Sequence, residues 1–227
     1  MGSMNMEAKR SALVVGATGF IGTELVKLLC NSEEYGRVKM IVRRPGTYSH
    51  PKIEVLVRDF DKIMQEDIGE VQDVFCCLGT TIKKAGSREA FQKVDFEYPR
   101  TIAALAKKQM IEHFIMITAI GANKKSWSHY NRVKGMIESE LIALDFSRLS
   151  ILRPSLLTGN RDEFRLGEKV GEILLKMVNP LLVGSARKYR SISGEQVAFA
   201  MKVIALRSKE QKVTIYPSDE IVKFTSL

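Results

Sequence analysis

The chain has 227 residues, 45% of them hydrophobic and 27% charged, which suits one sizeable core and excludes a disordered chain or two full-size domains. Three cysteines, two of them adjacent (Cys76, Cys77), and three scattered histidines offer neither a disulfide framework nor ligand spacing, so a reducing, cytoplasmic setting without a metal is expected. The net charge of +9 is dispersed, with no aromatic–basic reader motif, which argues against nucleic acid and for a basic surface that favours small anions.

Residues 1–8 contain no apolar run of the signal-peptide kind. Their opening Met-Gly-Ser reads as a tag remnant on a disordered N-terminus. Longer apolar stretches such as "FIMITAIGA" are too short to span a bilayer.

The first strand is expected over 11–17, "SALVVGA", and runs straight into "GATGFIG" and a helix over 20–31. Gly16, Gly19 and Gly22 are spaced G-x-x-G-x-x-G. In a strand–turn–helix context, the first permits a tight turn and the second lets the backbone approach a pyrophosphate. The third lets the helix pack closely on the sheet. The N–H groups and dipole of the helix start then hold the anion.

The second strand, 38–42, ends in "IVRRP". An NAD site wants a carboxylate here, about 20 residues beyond the last glycine. Arg43 and Arg44 stand there instead. Guanidinium groups suit a 2′-phosphate, so NADP(H) is expected over NAD(H).

Strands follow at 53–57, 73–79, 113–118, 149–154 and 213–217, each short, β-branched and nearly continuously apolar, as in strands buried on both faces. Helices are expected between them over 87–109, 128–145, 163–178 and 194–207. Pro99 suggests that 87–109 is two helices, with Asp95 as N-cap of the second. Pro180 ends the helix over 163–178. Ser193 and Gln196 form a capping box before "VAFAMKVIAL". The alternation gives an α/β class, a doubly wound parallel sheet of about seven strands. Cys76 and Cys77 read as core.

Three of the six tyrosines have a lysine four residues later: Tyr35–Lys39, Tyr48–Lys52 and Tyr130–Lys134. The first pair contains Gly36 and enters a strand; the second contains Pro51. Only Tyr130 and Lys134 open a helix, capped by Ser128 and striped by Val133, Ile137, Leu141 and Leu144, which puts them one turn apart on one face. Tyr35 and Tyr48 belong near the second strand, on the adenine side if anywhere. His129 reads as a surface histidine. Hydride addition to a carbonyl builds charge on oxygen. A phenol can donate a proton there, and a nearby ammonium favours its phenolate. Thr118, at the end of the fifth strand, is the nearest hydroxyl to polarise that carbonyl.

"GATGFIG", "RDFD", "CCLGTT", "YNRVK" and "LRPSLLTG" together resemble an atypical short-chain dehydrogenase/reductase of the Tat-interacting oxidoreductase-like branch, over nearly the whole chain. The resemblance implies one Rossmann-like NAD(P)-binding domain over 11–207, with 155–192 as a small substrate lobe and 208–227 as a C-terminal strand and tail. It assigns Gly16, Thr18, Gly19, Phe20 and Ile21 to the pyrophosphate and Arg43 and Arg44 to the adenosine phosphate. Asp59 and Phe60 fall beside adenine, and Leu78, Gly79 and Thr80 along the ribose and pyrophosphate. Tyr130 and Lys134 are the catalytic pair, and Arg153, Pro154, Ser155 and Leu156 run beside the nicotinamide. The family places serine or threonine after the fifth strand, where this chain reads Thr118-Ala119-Ile120.

Three readings follow. The first is an NADP(H)-dependent oxidoreductase acting on a small carbonyl or alcohol, the second a non-catalytic NADP(H)-binding regulator of a protein partner, and the third an epimerase-like isomerase. The amphipathic helix over 163–178 would cover the cleft or make a homodimer or membrane contact.

Overall fold

A computed structural model describes residues 9–158, 184, 189–207 and 211–225. Its strands are β1 (Arg10–Val15), β2 (Tyr35–Val42), β3 (Ile53–Val57), β4 (Asp73–Cys76), β5 (His113–Ile117), β6 (Arg148–Arg153), β7 (Leu157–Thr158), β8 (Ile192–Ser193) and β9 (Val213–Pro217). Seven of them form one parallel sheet in the order β3-β2-β1-β4-β5-β6-β9, and β7 pairs with β8. The chain winds outward from β1 to β3 and then returns to β4 on the other side of β1. The strand order therefore reverses at β1 and β4, and a crevice opens at their carboxyl ends.

The strand periodicity assigns the helices to two layers. Ala12 and Val14 share a core with Leu25 and Leu29 of α1 (Phe20–Cys30) and Met201 and Ile204 of the helix over Gly194–Leu206. Leu13 and Val15 point the other way. They join Ile68 of α2 (Gln65–Ile68), Ile102 of a helix over Tyr98–Lys108 and Ile137 of a helix over His129–Ala143. With α3 (Ile82–Ala85) and α4 (Arg88–Gln92) between them, these three longer helices are α7, α5 and α6 respectively, and α8 is Ser218–Lys223. Each central strand is covered on both faces, which explains its unbroken apolar character.

All seven expected strands are present, with differences of detail; β1 ends at Val15, two residues short of the expected end. β2 begins at Tyr35, whose side chain is fully buried. β4 ends at Cys76, with one last bond to β1 from the Cys77 N–H to the Val15 carbonyl at 2.9 Å. The C-terminal stretch adds α8 after β9, anchored by buried Ile221. The capping box is present: Gln196 N–H donates to Ser193 Oγ at 3.1 Å and Ser193 N–H to Gln196 Oε1 at 3.0 Å. Ser128 caps α6. The helix over 163–178 and its stop at Pro180 lie outside the described residues, as does most of the stretch 155–192.

The helical stretch starting at residue 88 corrects one expectation. It is a single continuous run, capped by Ser87, with a π-turn over Lys93–Glu97 between α4 and α5. Asp95 lies inside that turn and caps nothing. Pro99 has no N–H to give, and its ring would crowd the carbonyl of residue 95 in a regular α-helix. A π-turn accommodates both without a break.

The amino edge of the sheet carries a buried polar cluster. Arg10 grips Asp73 through two nitrogens at 2.8 and 2.9 Å, and the Tyr35 hydroxyl donates to Asp73 at 2.7 Å. Tyr35 thus belongs to the edge opposite the crevice and not to an adenine site, because parallel strands start there. Burial pushes its phenol far above the ordinary range.

Candidate active site

At the carboxyl end of β1 the chain turns through Gly16, whose φ of +77° is the left-handed region that glycine favours. A Cβ on Gly16 would lie 2.6 Å from the Cys77 carbonyl carbon, and one on Gly22 would lie 2.2 Å from the Gly16 oxygen. These two glycines are therefore required by packing. Gly19 differs. It is exposed at the N-cap of α1, and no side chain caps the helix start. The first N–H groups of α1 are thus left without a side-chain cap, as an anion site needs. Thr18 is exposed beside Gly19, Ile21 is buried, and the Phe20 ring packs against Gly194.

Arg43 and Arg44 are exposed where β2 ends, next to this loop in the sheet order. Asp59 is exposed, and its carboxylate accepts the Asp61 N–H at 3.1 Å. The Phe60 ring is buried, 5.4 Å from the ring of Tyr98.

Tyr130 and Lys134 project from the first turns of α6. The Tyr130 ring packs on Phe91 of α4, centroids 5.5 Å apart, and Lys134 Nζ lies 6.0 Å from the Tyr130 centroid. His129 also packs on Phe91, at 5.9 Å, and is half-buried, which corrects the reading of a surface histidine. Lys134 is buried, and its Nζ is 2.7 Å from Asp95 Oδ1. The other Asp95 oxygen accepts the N–H of Thr80 at 2.8 Å. A Cβ on Gly79 would stand 3.5 Å from both charged atoms. The loop after β4 and the start of α6 therefore meet at one ion pair.

Thr118 is buried at the end of β5. Its hydroxyl donates to Glu138 Oε1 at 2.6 Å. Arg153 holds the same carboxylate, with Nε to Oε1 at 3.0 Å and Nη2 to Oε2 at 2.5 Å. Pro154 and Ser155 are buried, Leu156 is exposed, and Ser155 Oγ meets Ser218 Oγ at 3.0 Å. Cys76 is buried and Cys77 half-buried. Burial pushes both thiols up, Cys76 to about 12, so neither is an activated nucleophile.

The structure thus brings Tyr130, Lys134, Gly79 and Thr80 together and places Thr118 and Arg153 in a separate pairing. Two residues escaped the sequence reading. Asp95 was assigned a capping role. Glu138 carried a signal that went unused, since residues 130, 134 and 138 repeat every four positions along one helix face.

The fold defines a class: an NAD(P)-binding Rossmann-type domain of the oxidoreductase-type fold. Residues 16–172 match the sequence model of the NAD(P)H-binding family, and the chain belongs to that family. It is homologous to the protein FMP52, mitochondrial, of Eremothecium gossypii, 34% identical over 215 residues that cover 93% of this chain and 96% of that one. It is also homologous to the protein HTATIP2 of Rattus norvegicus, 36% identical over 169 residues, 70% of this chain and 67% of that one. Among solved structures, MoeE5 in complex with UDP-glucuronic acid and NAD matches with a TM-score of 0.69 at 15% identity, covering 90% of this chain and 75% of that one. The human epimerase family protein SDR39U1 with NADPH matches with a TM-score of 0.59 at 18% identity, covering 91% and 74%. At these identities the structural likeness shows the fold.

The cytoplasmic expectation does not hold, since the FMP52 relatives are named mitochondrial. Cysteine usage separates oxidising from reducing settings and cannot tell one reducing compartment from another. Among the described residues no helix is long and apolar enough to cross a membrane.

Proposed function

We propose that the protein is an NADP(H)-dependent oxidoreductase that interconverts a small carbonyl compound and its alcohol, acting in mitochondria, the compartment in the names of the FMP52 relatives. The observation that carries this reading is the Tyr130–Lys134 pair, one turn apart at the carboxyl edge of the sheet, beside the loop after β4. The residues present fit the cofactor. Gly19 leaves the start of α1 open for a pyrophosphate, and the bare Cα of Gly79 leaves room beside Lys134. Arg43 and Arg44 would meet the 2′-phosphate.

Bound NADPH would supply the hydride. The Tyr130 hydroxyl would give its proton to the oxygen that becomes charged. Phe91 holds the Tyr130 ring in place, and the buried Lys134 ammonium supplies positive charge behind it. In the reverse direction Tyr130 would accept the proton of the alcohol.

A panel of carbonyl compounds followed by NADPH absorbance tests this reading. Turnover that falls at least about 100-fold in Tyr130→Phe, with NADPH affinity retained, supports it; full activity in that variant dismisses the catalytic role. Tyr48→Phe should be silent, and Tyr35→Phe should lower stability alone. A second reading, a cofactor-binding regulator without turnover, draws on one observation: the Thr118 proton is already committed to Glu138. A flat panel with intact NADPH binding would favour it.

A further inference from the structure

Asp95 is fully buried and bridges two parts of the crevice. One oxygen faces Lys134 Nζ at 2.7 Å, and the other accepts the Thr80 N–H at 2.8 Å. The π-turn over Lys93–Glu97 carries it there, so the irregularity in the helix coincides with the site. An ammonium has three N–H donors. Nζ is ion-paired with Asp95, and with a side-chain exposure of 4% water has little access to it. The pair borders Gly79, where a Cβ would approach both charged atoms to 3.5 Å.

We infer that Asp95 is a positioning residue: it holds Lys134 charged and aimed at the nicotinamide half of a bound NADP(H), and ties that grip to the Gly79–Thr80 loop. The identity of the cofactor half rests on the oxidoreductase reading; the bridge itself does not.

The electrostatics support the geometry. Burial works against the Lys134 ammonium, and Asp95, the foremost of the opposing groups, together with Tyr130 and Cys76 more than offsets it, leaving the lysine above its ordinary range. The other groups facing the lysine are Tyr130 on α6 and Cys76 of β4. His129 stands across Phe91 with Glu89 nearby, and Glu138, one turn further along α6, is paired with Arg153. Asp95 is thus the anion that keeps Lys134 protonated. Without it, Lys134 would shed its proton at a lower pH than in the wild type.

Asp95→Asn tests this, since it keeps the shape and an acceptor for Thr80 but removes the charge. The probes are NADPH and 2′,5′-ADP, the half of the cofactor that never reaches Lys134, each titrated near pH 7 and near pH 9. Wild-type affinity for NADPH should be the same at both. In Asp95→Asn it should fall at least about tenfold towards the higher pH, as one hydrogen bond to a charged group is lost. Affinity for 2′,5′-ADP should match the wild type throughout. Wild-type behaviour of Asp95→Asn towards NADPH at both pH values overturns the inference. So does a parallel weakening of both probes, or loss of the cooperative melt, because each makes Asp95 merely structural. A wild-type protein that shows the predicted affinities but reduces no carbonyl removes the oxidoreductase reading and leaves the Asp95 assignment standing.

Discussion

Thr118 gives its hydroxyl proton to Glu138 across 2.6 Å, and Arg153 grips the same carboxylate through two nitrogens. A buried carboxylate that loses a donor is costly, so Thr118→Val should lower stability by about 1–3 kcal/mol in urea unfolding, and Thr118→Ser should restore most of it. Because that proton is committed, the variant's loss of turnover should be smaller than that of Tyr130→Phe. An equal loss would return Thr118 to the role of polarising the carbonyl.

The glycines of the first loop should separate into two kinds. Gly16→Ala forces a Cβ to 2.6 Å from the Cys77 backbone at a φ of +77°, and Gly22→Ala forces one to 2.2 Å from the Gly16 oxygen. Both should destabilise the fold by at least about 1–3 kcal/mol. Gly19→Ala meets only the Gly16 oxygen, at 3.2 Å. It should melt close to the wild type while binding NADPH far more weakly, since its Cβ stands where the pyrophosphate would approach. Calorimetry and fluorescence titration together decide this.

Arg43 and Arg44 are exposed, so replacing them should leave the fold intact. The double variant Arg43→Ala/Arg44→Ala should lose roughly 10- to 100-fold in NADPH affinity, the worth of one or two charge-assisted contacts, and little in NADH affinity. Equal losses for the two cofactors, or a wild type that binds NADH as tightly as NADPH, would refute the assignment of the 2′-phosphate.

His113 should make the fold acid-sensitive. It is fully buried, with Nε2 2.8 Å from Ser150 Oγ, and Nδ1 lies 3.7 Å from Asp73. Burial, helped by the charges of Arg148 and Arg10, pulls its pKa down to about 2. An unfolded histidine titrates near ~6.5. Its folded pKa is therefore the lower one, so its contribution is present above about pH 6.5 and is lost as the pH falls towards the folded value. The slope is up to about 1.4 kcal/mol per pH unit. His113→Gln should be less stable at neutral pH but flatter between about pH 6.5 and about pH 5, which pH-dependent urea melts would show.

The layered sheet was legible because strands buried on both faces are apolar throughout, and the first glycine loop follows its strand directly in sequence. Tyr130 and Lys134 were legible because a helix converts a spacing of four into one face. The same rule would have reached Glu138. Asp95 was not legible. Acidic residues ahead of a proline usually mark a helix start, and only the π-turn turns this one inwards.

The sequence by itself determined the parallel α/β domain, the glycine loop, the arginines at the end of the second strand and which of three Tyr–Lys pairs lies on a helix. Each depends on contacts within one or two adjacent elements, where periodicity and local geometry suffice. The tertiary structure alone decided what surrounds that pair. Lys134 meets Asp95 from a helix 39 residues earlier, and Thr118 gives its hydroxyl to Glu138, the carboxylate that Arg153 also holds. Such partners are chosen by where buried charges can be neutralised, and that is a property of the assembled core.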